Sequence, residues 1–284
     1  MGTDRHSEQP RGIKAVGWYS VLITLSAIIL FPIYTTIVRS ISSAIPYINS
    51  LKDGSGLVPV AVDYGVFGRV LQNDRFVNAM LLSAAISLII VTGQVLTSTL
   101  AAYAFVFLEF PFKKLAFAVL VGTLLLPIEV TIMANIETIR DIAWLNSIQG
   151  LTVPFLASAF GIFLIRQAFL GIPSELRDAA DLEGYSHLRF LFRVAVPISK
   201  PIIGSFVLIS FLGAWNQYLW PRFAADKESL QTIQVALRNL GKSEITDLNF
   251  GYAAALLSAV PLLIILIAFQ RQLVRGLTAG AVKG

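Results

Sequence analysis

The chain contains no cysteine and only two histidines among its 284 residues. The missing thiols exclude disulfide bridges and metal centres held by thiolates. Charge is also scarce, because Asp, Glu, Lys and Arg make up 14% of the residues, whereas a soluble domain carries about 25%. Hydrophobic residues reach 56%. This balance predicts an all-α integral membrane protein, and the length suits a single bundle.

The formal net charge of +5 is small and spread over the predicted loops. It indicates the Lys/Arg bias that flanks membrane spans and not a nucleic-acid surface. The sequence also lacks H-E-x-x-H, G-x-S-x-G and paired carboxylates within a span. We therefore expect no catalytic residue, no metal site and no enzyme activity of the chain itself.

One short motif resembles part of a phosphate-binding loop, but it is incomplete. Gly241, Lys242 and Ser243 match the end of the pattern, whereas Ala236 stands where the pattern needs a glycine. No buried strand is predicted before it. The sequence therefore favours a plain loop here over a nucleotide site in this chain.

Six apolar stretches are long enough to cross a hydrocarbon core, which takes about 20 helical residues. Prolines inside or near the ends of these stretches indicate kinks or breaks, and they are Pro32, Pro127, Pro154 and Pro261. We predict a six-helix transmembrane domain over residues 16–276, with polar cytoplasmic tails at 1–15 and 277–284. The predicted spans are residues 15–38, 76–108, 115–136, 142–165, 202–221 and 248–270.

The distribution of basic residues predicts the orientation of the chain. Thirteen of the 22 Lys and Arg residues fall on the side that holds both termini, so we expect this side to be cytoplasmic. Two long loops, residues 39–75 and 222–247, then lie outside. They suit docking of a soluble binding protein, and plain connectors are the alternative. Residues 66–70 form a predicted short surface helix.

One polar stretch interrupts the apolar sequence between the fourth and fifth predicted spans. Pro173 and Ser174 indicate a helix start, with Ser174 as the cap. Gly184 indicates the stop, because a left-handed residue ends many helices and glycine adopts that conformation freely. Ser186 is predicted to cap a second helix, which Pro197 ends. The pattern therefore predicts two short helices joined by a sharp turn.

These residues also carry a family resemblance. Asp178-Ala179-Ala180, Gly184 after three residues, and Val194-x-Val196-Pro197 after nine more resemble the EAA motif of ABC importer permeases. Asp178 replaces the Glu of that motif, and Val194 and Val196 replace other aliphatic residues. The resemblance implies a cytoplasmic coupling helix within residues 172–197, which docks into an ATPase subunit. An amphipathic helix lying on the membrane is the alternative.

The chemistry of the predicted docking helix fits that role. Asp178 offers a carboxylate to a basic partner residue, and Ala179 and Ala180 allow a partner surface to approach closely. Gly184 lets the chain turn without steric cost. Together with Glu183, these residues are the predicted contacts with the ATPase.

The wider chain, with its six spans and residues 270–277, looks like the MalG-type permeases of carbohydrate importers. Residues 126–130, 163–169 and 213–221 are similar to the UgpE-type permeases of importers for glycerol-3-phosphate and glycerophosphodiesters. The resemblance implies the type I importer permease fold, in a bacterial inner membrane. It implies a heterodimer with a second permease, two ATPase subunits that bind ATP and Mg, and an extracytoplasmic substrate-binding protein, while this chain binds no cofactor.

Other functions remain as alternatives. A sugar of the maltose or trehalose type is the second candidate substrate. A secondary transporter or channel would show ion-coupling carboxylates or an inverted repeat, and neither is visible. A membrane-embedded enzyme or assembly scaffold would fit an apolar chain too, but the catalytic constellations of an enzyme are missing.

Polar residues inside the predicted spans are candidates for the substrate pathway. Glu129 is the first, because a carboxylate within a span is costly unless it faces a cavity or a partner. Thr131 and Asn135 join it as a rough outer cluster. A solvated helix end is the alternative for Glu129, and Gln94 on the second span is a weaker candidate.

A second group of candidates lies near the outer end of the fifth span. Asn216 and Gln217 carry amides that can hydrogen-bond a polyol or a neighbouring helix. Trp215 and Tyr218 are predicted to stack against substrate or to lie in an interfacial aromatic belt. For Trp220 the belt is the favoured interpretation.

Overall fold

The computed structural model describes residues 13–240 and 248–279, without the side chains of residues 13–14, 128–129 and 271–279. Most of the two predicted tails, the motif at residues 241–243 and the side chain of Glu129 therefore lie outside the described part. The described residues are mainly helical, and their only extended pairing is an isolated antiparallel bridge between Ser42 and Val62. The predicted all-α class is confirmed.

Fifteen α-helices follow one another along the described chain. They are α1 Ile13–Ile41, α2 Ala44–Lys52, α3 Gly65–Leu71, α4 Asp74–Phe107, α5 Lys113–Gly122, α6 Ile128–Asp141, α7 Ile148–Thr152, α8 Ala159–Leu170, α9 Ser174–Leu182, α10 His187–Phe190, α11 Val196–Ile198, α12 Lys200–Trp215, α13 Leu219–Ala224, α14 Ile233–Leu240 and α15 Leu248–Ala279. Shorter 3₁₀ turns are Thr123–Leu125, Val153–Phe155 and Glu228–Leu230, and a π turn, Leu191–Ala195, joins α10 to α11.

Four described helical segments are long and apolar enough to cross a membrane without a sharp bend. Two bent pairs raise the number to six if each pair counts as one span. The unbent segments are Ala15–Ile41, Asp74–Phe107, Ile148–Leu170 and Leu248–Gln270, and the pairs are Lys113–Leu125 with Val130–Asp141, bent by 107°, and His187–Ile198 with Lys200–Trp215, bent by 82°.

Three of the predicted spans need correction. The third, residues 115–136, is not one helix, because it breaks at Pro127. Pro127 has no N–H to donate, and the residue before it, Leu126, adopts the extended conformation that a following proline favours. The fourth span is shifted along the chain to Ile148–Leu170, and the helix of the fifth ends at Trp215 instead of residue 221.

The chain divides into two compact units, of which the first comprises the described residues of Met1–Gln72 and Leu240–Leu257. Its centre holds Arg39, whose guanidinium donates to the hydroxyls of Tyr47 and Tyr252 over 3.1 and 3.0 Å. The predicted surface helix exists as α3, but Val66 and Val70 are buried. The short surface helix is therefore confirmed, with these two valines on its inner side.

An ion pair holds the loop before α3 in the same unit. Asp63 pairs with Arg69 at 2.6 Å and also accepts from the side-chain amide of Asn249 over 3.3 Å. The hydrogen bond from Arg69 lowers the pKa of the Asp63 carboxyl below its usual value of 3.8. This loop is therefore held by a carboxylate that stays ionised at neutral pH.

The second unit comprises Asn73–Asn239 and the described residues of Ser258–Gly284, and its centre is formed by α4, α8 and α12. These helices approach closely at Gly161. A Cβ atom there would collide with the ring of Phe206 and the hydroxyl of Ser98. Glycine at this position therefore lets α8 pack against both neighbours.

A polar link crosses the same helices. The side chain of Gln94 donates to the Phe155 carbonyl over 2.9 Å and accepts from the Ser210 hydroxyl over 2.6 Å. The NH2 group and the oxygen of the Gln94 side chain are therefore both hydrogen-bonded to other helical segments. Polar groups at membrane depth need such partners, because lipid offers none. This favours a packing role for Gln94 over a role in the substrate pathway.

Candidate functional site

The polar stretch predicted from the sequence folds into α9, and its start differs in detail from the prediction. Pro173 is extended and occupies the capping position, while Ser174 is the first helical residue and makes no capping hydrogen bond. The prediction that Ser174 caps the helix was therefore wrong. Glu175 lies in the first turn, where its carboxylate favours the positive end of the helix dipole.

The end of α9 is a Schellman motif built on a left-handed glycine. Gly184 has φ of +72°, and its N–H donates to the Asp181 carbonyl over 3.0 Å. The next N–H, of Tyr185, donates to the Ala180 carbonyl over 2.9 Å. Two of the carbonyls at the helix end are thereby satisfied, so the predicted role of Gly184 as the stop is confirmed.

A second helical segment follows at once, again with one correction. The Ser186 hydroxyl accepts from the N–H of Arg189 over 3.4 Å, which confirms the predicted cap. Pro197 does not end the helix, which continues to Ile198 before the 82° bend into α12. The π turn Leu191–Ala195 precedes it, and its wider backbone leaves room for the proline ring and needs no N–H from it.

One face of α9 is exposed and carries most of the predicted docking residues. Asp178, Ala179, Glu183 and Gly184 all lie on the surface. Leu182 projects beside them with 91% of its surface exposed. A carboxylate pair around an exposed leucine is a surface that another protein can cover.

Ala180 differs from its neighbour, because only 6% of its surface is exposed. It packs in a cluster that joins α4, α8 and the segment after α9. The predicted approach of a partner to Ala180 is therefore wrong, and the small side chain serves packing within this chain. The cluster consists of Ala102, Tyr103, Ile165, Phe169, Ile172, Ala180, Phe190, Leu191, Ala195 and Phe206.

A hydrogen-bond network that the sequence did not reveal ties α9 to α4. Arg177 pairs with Asp181 at 2.6 Å and donates to the Tyr103 hydroxyl over 3.1 Å. The same hydroxyl lies 3.0 Å from Nδ1 of His187, and the guanidinium of Arg177 stacks over the Phe190 ring. The i, i+4 spacing indicates the Arg–Asp pair, but no local pattern indicates Tyr103.

α12 separates the predicted coupling stretch, residues 172–197, from a cavity. The helix has 16 residues, and at 1.5 Å per residue it extends about 24 Å. The coupling stretch leads into its first residue, and the cavity begins just after its last. A displacement of the coupling stretch can therefore reach the cavity through one continuous helix.

The cavity has a volume of about 310 Å³, at the lower end of the range that small-molecule sites occupy. Three of the predicted pathway residues, Asn216, Gln217 and Tyr218, lie in its wall. α6 and the turn before α8 supply the opposite side. The lining residues are Ile132, Phe155, Asn216, Gln217, Tyr218, Leu219 and Trp220.

The two tryptophans do not have the predicted surroundings. Trp215 is buried, stacks on Phe211 and is not among the lining residues. Trp220 is also buried, and its indole N–H donates to the Gly150 carbonyl over 2.9 Å. The prediction that Trp220 belongs to an interfacial aromatic belt was therefore wrong. Its ring packs edge-on against Phe155 and fixes one wall of the cavity.

The predicted outer cluster on α6 is placed only in part. The Asn135 amide donates to the Thr131 hydroxyl over 3.4 Å, one helical turn apart. Among the described α6 side chains, Ile132 is the one that reaches the cavity wall. Thr131 and Asn135 are on the same helix but are not among the lining residues, and the side chain of Glu129 lies outside the described part.

α14 supplies two residues that the sequence analysis left within an external loop. The Gln234 amide donates to the Asn216 side-chain oxygen over 3.4 Å. Arg238 donates to the Tyr218 hydroxyl and stacks over its ring, 5.5 Å from the centroid. The apolar pair of Ile233 and Ala236, at helical spacing, was a signal for this helix.

The sequence of the chain is similar to those of known transport proteins. Residues 94–279 match the family described as binding-protein-dependent transport system inner membrane component. The sn-glycerol-3-phosphate transport system permease protein UgpE of Salmonella typhi is 34% identical over 276 residues, covering 95% of this chain and 98% of that protein. The protein of the same name from Pectobacterium atrosepticum is 34% identical over 275 residues, with the same coverage.

A solved structure shares the fold. It is a crystal structure of a bacterial ABC transporter involved in the import of the acidic polysaccharide alginate, with a TM-score of 0.79 and 20% identity. The match covers 92% of this chain and 99% of the other. The chain therefore belongs to the binding-protein-dependent inner membrane components, and it is a permease component of an ABC importer.

Proposed function

We propose that this chain is a permease subunit of an importer for sn-glycerol-3-phosphate and its phosphodiesters, such as glycerophosphocholine. The observation that carries the proposal is 34% identity, over 95% of the chain, to permease proteins of sn-glycerol-3-phosphate transport systems. The full complex contains a second permease, two ATPase subunits and an extracytoplasmic binding protein. It lies in the bacterial inner membrane, with both termini of this chain in the cytoplasm.

The coupling role belongs to the exposed face of α9. Asp178, Ala179, Glu183 and Gly184 dock into a cleft of an ATPase subunit, which holds the ATP and Mg. Leu182 adds an apolar contact at the centre of that face, and its 91% exposure supports this assignment. Ala180 holds the helix to the rest of the chain from the opposite side.

Transport then follows alternating access. Closure of the two ATPase subunits around ATP carries the coupling stretches towards each other, and α12 passes the displacement to the cavity. The cavity opens to the binding protein, which releases its ligand there. ATP hydrolysis and release of the products return the cavity to the cytoplasmic side.

In the substrate pathway we assign polar contacts to Asn216, Gln217 and Tyr218, because they line the cavity. Glu129, Thr131 and Asn135 belong to α6, the helix that contributes Ile132 to the wall, and we keep them as pathway residues on that helix. Trp215 stays in the packed interior and positions the end of α12. The residues at the wall thus supply amide and hydroxyl groups, which suit the hydroxyls of a glycerol unit.

A sugar of the maltose or trehalose type is the second candidate substrate. The observation that favours it is the aromatic wall of Phe155, Tyr218 and Trp220, since sugar rings pack well on aromatic faces. In this case the fold, the partners and the coupling role are the same.

The test is the ATPase activity of the complete complex in lipid with its binding protein. Glycerol-3-phosphate, glycerophosphocholine, maltose and trehalose are added one at a time, and we expect stimulation by the two glycerophosphate compounds. Stimulation by a sugar alone would move the substrate assignment to sugars. Substrate uptake that proceeds equally without ATP would instead indicate a secondary transporter or channel.

A further inference from the structure

We propose that Arg238 is an anion-binding residue at the cavity and contacts the phosphate group of the transported molecule. The inference rests on the proposed function for the identity of that molecule. It assigns a charge-specific contact to α14, a helix that lies outside the predicted spans.

Arg238 contacts the cavity wall, although it is not itself among the lining residues. Its guanidinium donates to the Tyr218 hydroxyl and lies over the Tyr218 ring, and Tyr218 is a lining residue. One turn earlier on α14, Gln234 binds Asn216, which is also in the wall. Two contacts at i and i+4 therefore hold one face of α14 against the cavity.

The charge of Arg238 is not neutralised by the described part of the chain. Its hydrogen-bond partner is a neutral phenol, and no described carboxylate pairs with it. Described ion pairs instead join Arg69 to Asp63, Arg75 to Glu228, Lys113 to Glu109 and Arg177 to Asp181. A guanidinium has five N–H donors, so most remain available after the bond to Tyr218.

The chemistry of the wall fits an organic phosphate. A guanidinium matches phosphate oxygens in a bidentate, charge-assisted arrangement. None of the described lining residues is acidic, so no described side chain in the wall repels an anion. The amides of Asn216 and Gln217, which line the cavity, then face the uncharged, hydroxyl-bearing end of the molecule.

A binding experiment tests Arg238 without relying on transport. Methyl phosphate is titrated calorimetrically into the purified complex in lipid, for the wild type and for Arg238→Gln and Arg222→Gln. Arg222 is the matched control. It is an exposed arginine on α13, the helix that follows the lining residues 216–218, and Arg222→Gln removes the same charge as Arg238→Gln. We expect roughly tenfold or greater weakening in Arg238→Gln, because hydrogen bonds to charged groups contribute that much, and no change in Arg222→Gln.

Two further variants separate charge from shape. Arg238→Lys keeps the charge and loses the bidentate geometry, so we expect an intermediate affinity. Tyr218→Phe removes the hydroxyl that positions Arg238, and we expect a loss of a few-fold. Equal affinity in the wild type and Arg238→Gln, or no binding of methyl phosphate to the wild type, would overturn the inference.

An uptake experiment then distinguishes the inference from the proposed function. Proteoliposomes with saturating binding protein are assayed for glycerol-3-phosphate uptake and for stimulated ATPase activity. We expect Arg238→Gln to lower uptake per ATP hydrolysed while the ATPase stimulation is retained. If the wild-type complex binds methyl phosphate through Arg238 but transports no glycerol-3-phosphate, the proposed substrate is wrong and the anion-binding role of Arg238 is supported.

Discussion

The two ends of α12 show different ways of building a functional surface. At the coupling end, a short helix exposes one face and anchors the other, so that Ala179 is on the surface and Ala180 is packed inside. At the cavity end, non-helical residues 216–218 present amides and a phenol around a hollow. The first end is convex and offers contacts to a protein, whereas the second is concave and suits a small molecule.

The comparison also shows where rigidity comes from at each end. The coupling stretch is held by the apolar cluster around Ala180 and also by polar links of Arg177 to Asp181 and Tyr103. The cavity wall is held by a buried aromatic, Trp220, within an apolar cluster. Changes at the coupling end should therefore affect ATP use, and changes at the cavity end should affect the transported molecule or the stability of the wall.

The largest effect is expected from Gly184→Pro. Proline cannot adopt φ of +72° and has no N–H for the Asp181 carbonyl, so the Schellman motif is lost. We expect at least a tenfold loss of ATP-coupled uptake, with normal amounts of the protein in the membrane. Proteoliposome uptake and membrane quantification measure both quantities.

A graded control uses the same position. Gly184→Asn should retain most of the coupling, because Asn tolerates the left-handed conformation. Gly184→Ala should give an uptake between those of the Pro and Asn variants. A Cβ at this position meets no other atom, so the cost is the backbone strain of the left-handed conformation alone, about 1–2 kcal/mol. Wild-type uptake in Gly184→Pro would contradict the role of this turn.

The next effect is a contrast between neighbours, Ala180→Leu and Ala179→Leu. A larger side chain at the buried Ala180 overpacks its cluster and should lower stability by about 1–3 kcal/mol, measured as a lower thermal midpoint. Ala179→Leu should leave the midpoint unchanged and lower the ATPase stimulation, because it changes the docking face. Identical behaviour of the two variants would remove the distinction between the anchored and exposed faces.

A smaller effect is expected from Trp220→Phe at the cavity end. The change removes the indole N–H that binds the Gly150 carbonyl and leaves space beside Phe155. We expect a loss of about 2 kcal/mol in stability, with coupling of ATP hydrolysis intact. A normal thermal midpoint in this variant would show that the tryptophan does not fix the wall.

Local sequence patterns predicted much of the coupling stretch. The helix start at Pro173, the stop at Gly184 and the cap at Ser186 all depend on backbone preferences of residues close in sequence. The pattern did not predict which alanine is buried, because that depends on α4 and α8, which are distant in the chain. Hydropathy located the apolar stretches, and the prolines in them indicated kinks or breaks, of which the break at Pro127 is confirmed.

The cavity was predicted less completely for the same reason. Asn216, Gln217 and Tyr218 were found because polar residues stand out in an apolar segment. Arg238 was not predicted as a site residue, because its place beside the cavity depends on the contact of α14 with Tyr218, 20 residues away in the chain. The tryptophans were misassigned, because the sequence does not distinguish a buried indole with a hydrogen-bond partner from one at a membrane interface.

The smallest effect is expected from Tyr103→Phe at the coupling end. Loss of the hydroxyl removes one bond to Arg177 and one to His187, but the pair between Arg177 and Asp181 remains. We expect about 1 kcal/mol of lost stability and a few-fold fall in uptake per ATP hydrolysed.

A double-mutant cycle with Arg177→Met isolates the bond, since neighbouring changes are not additive when they share an interaction. If the tie between α9 and α4 transmits movement, Tyr103→Phe adds little once Arg177 is replaced. Full additivity would mean that the two residues act separately, and the coupling stretch would then be held by Ala180 and its apolar cluster alone.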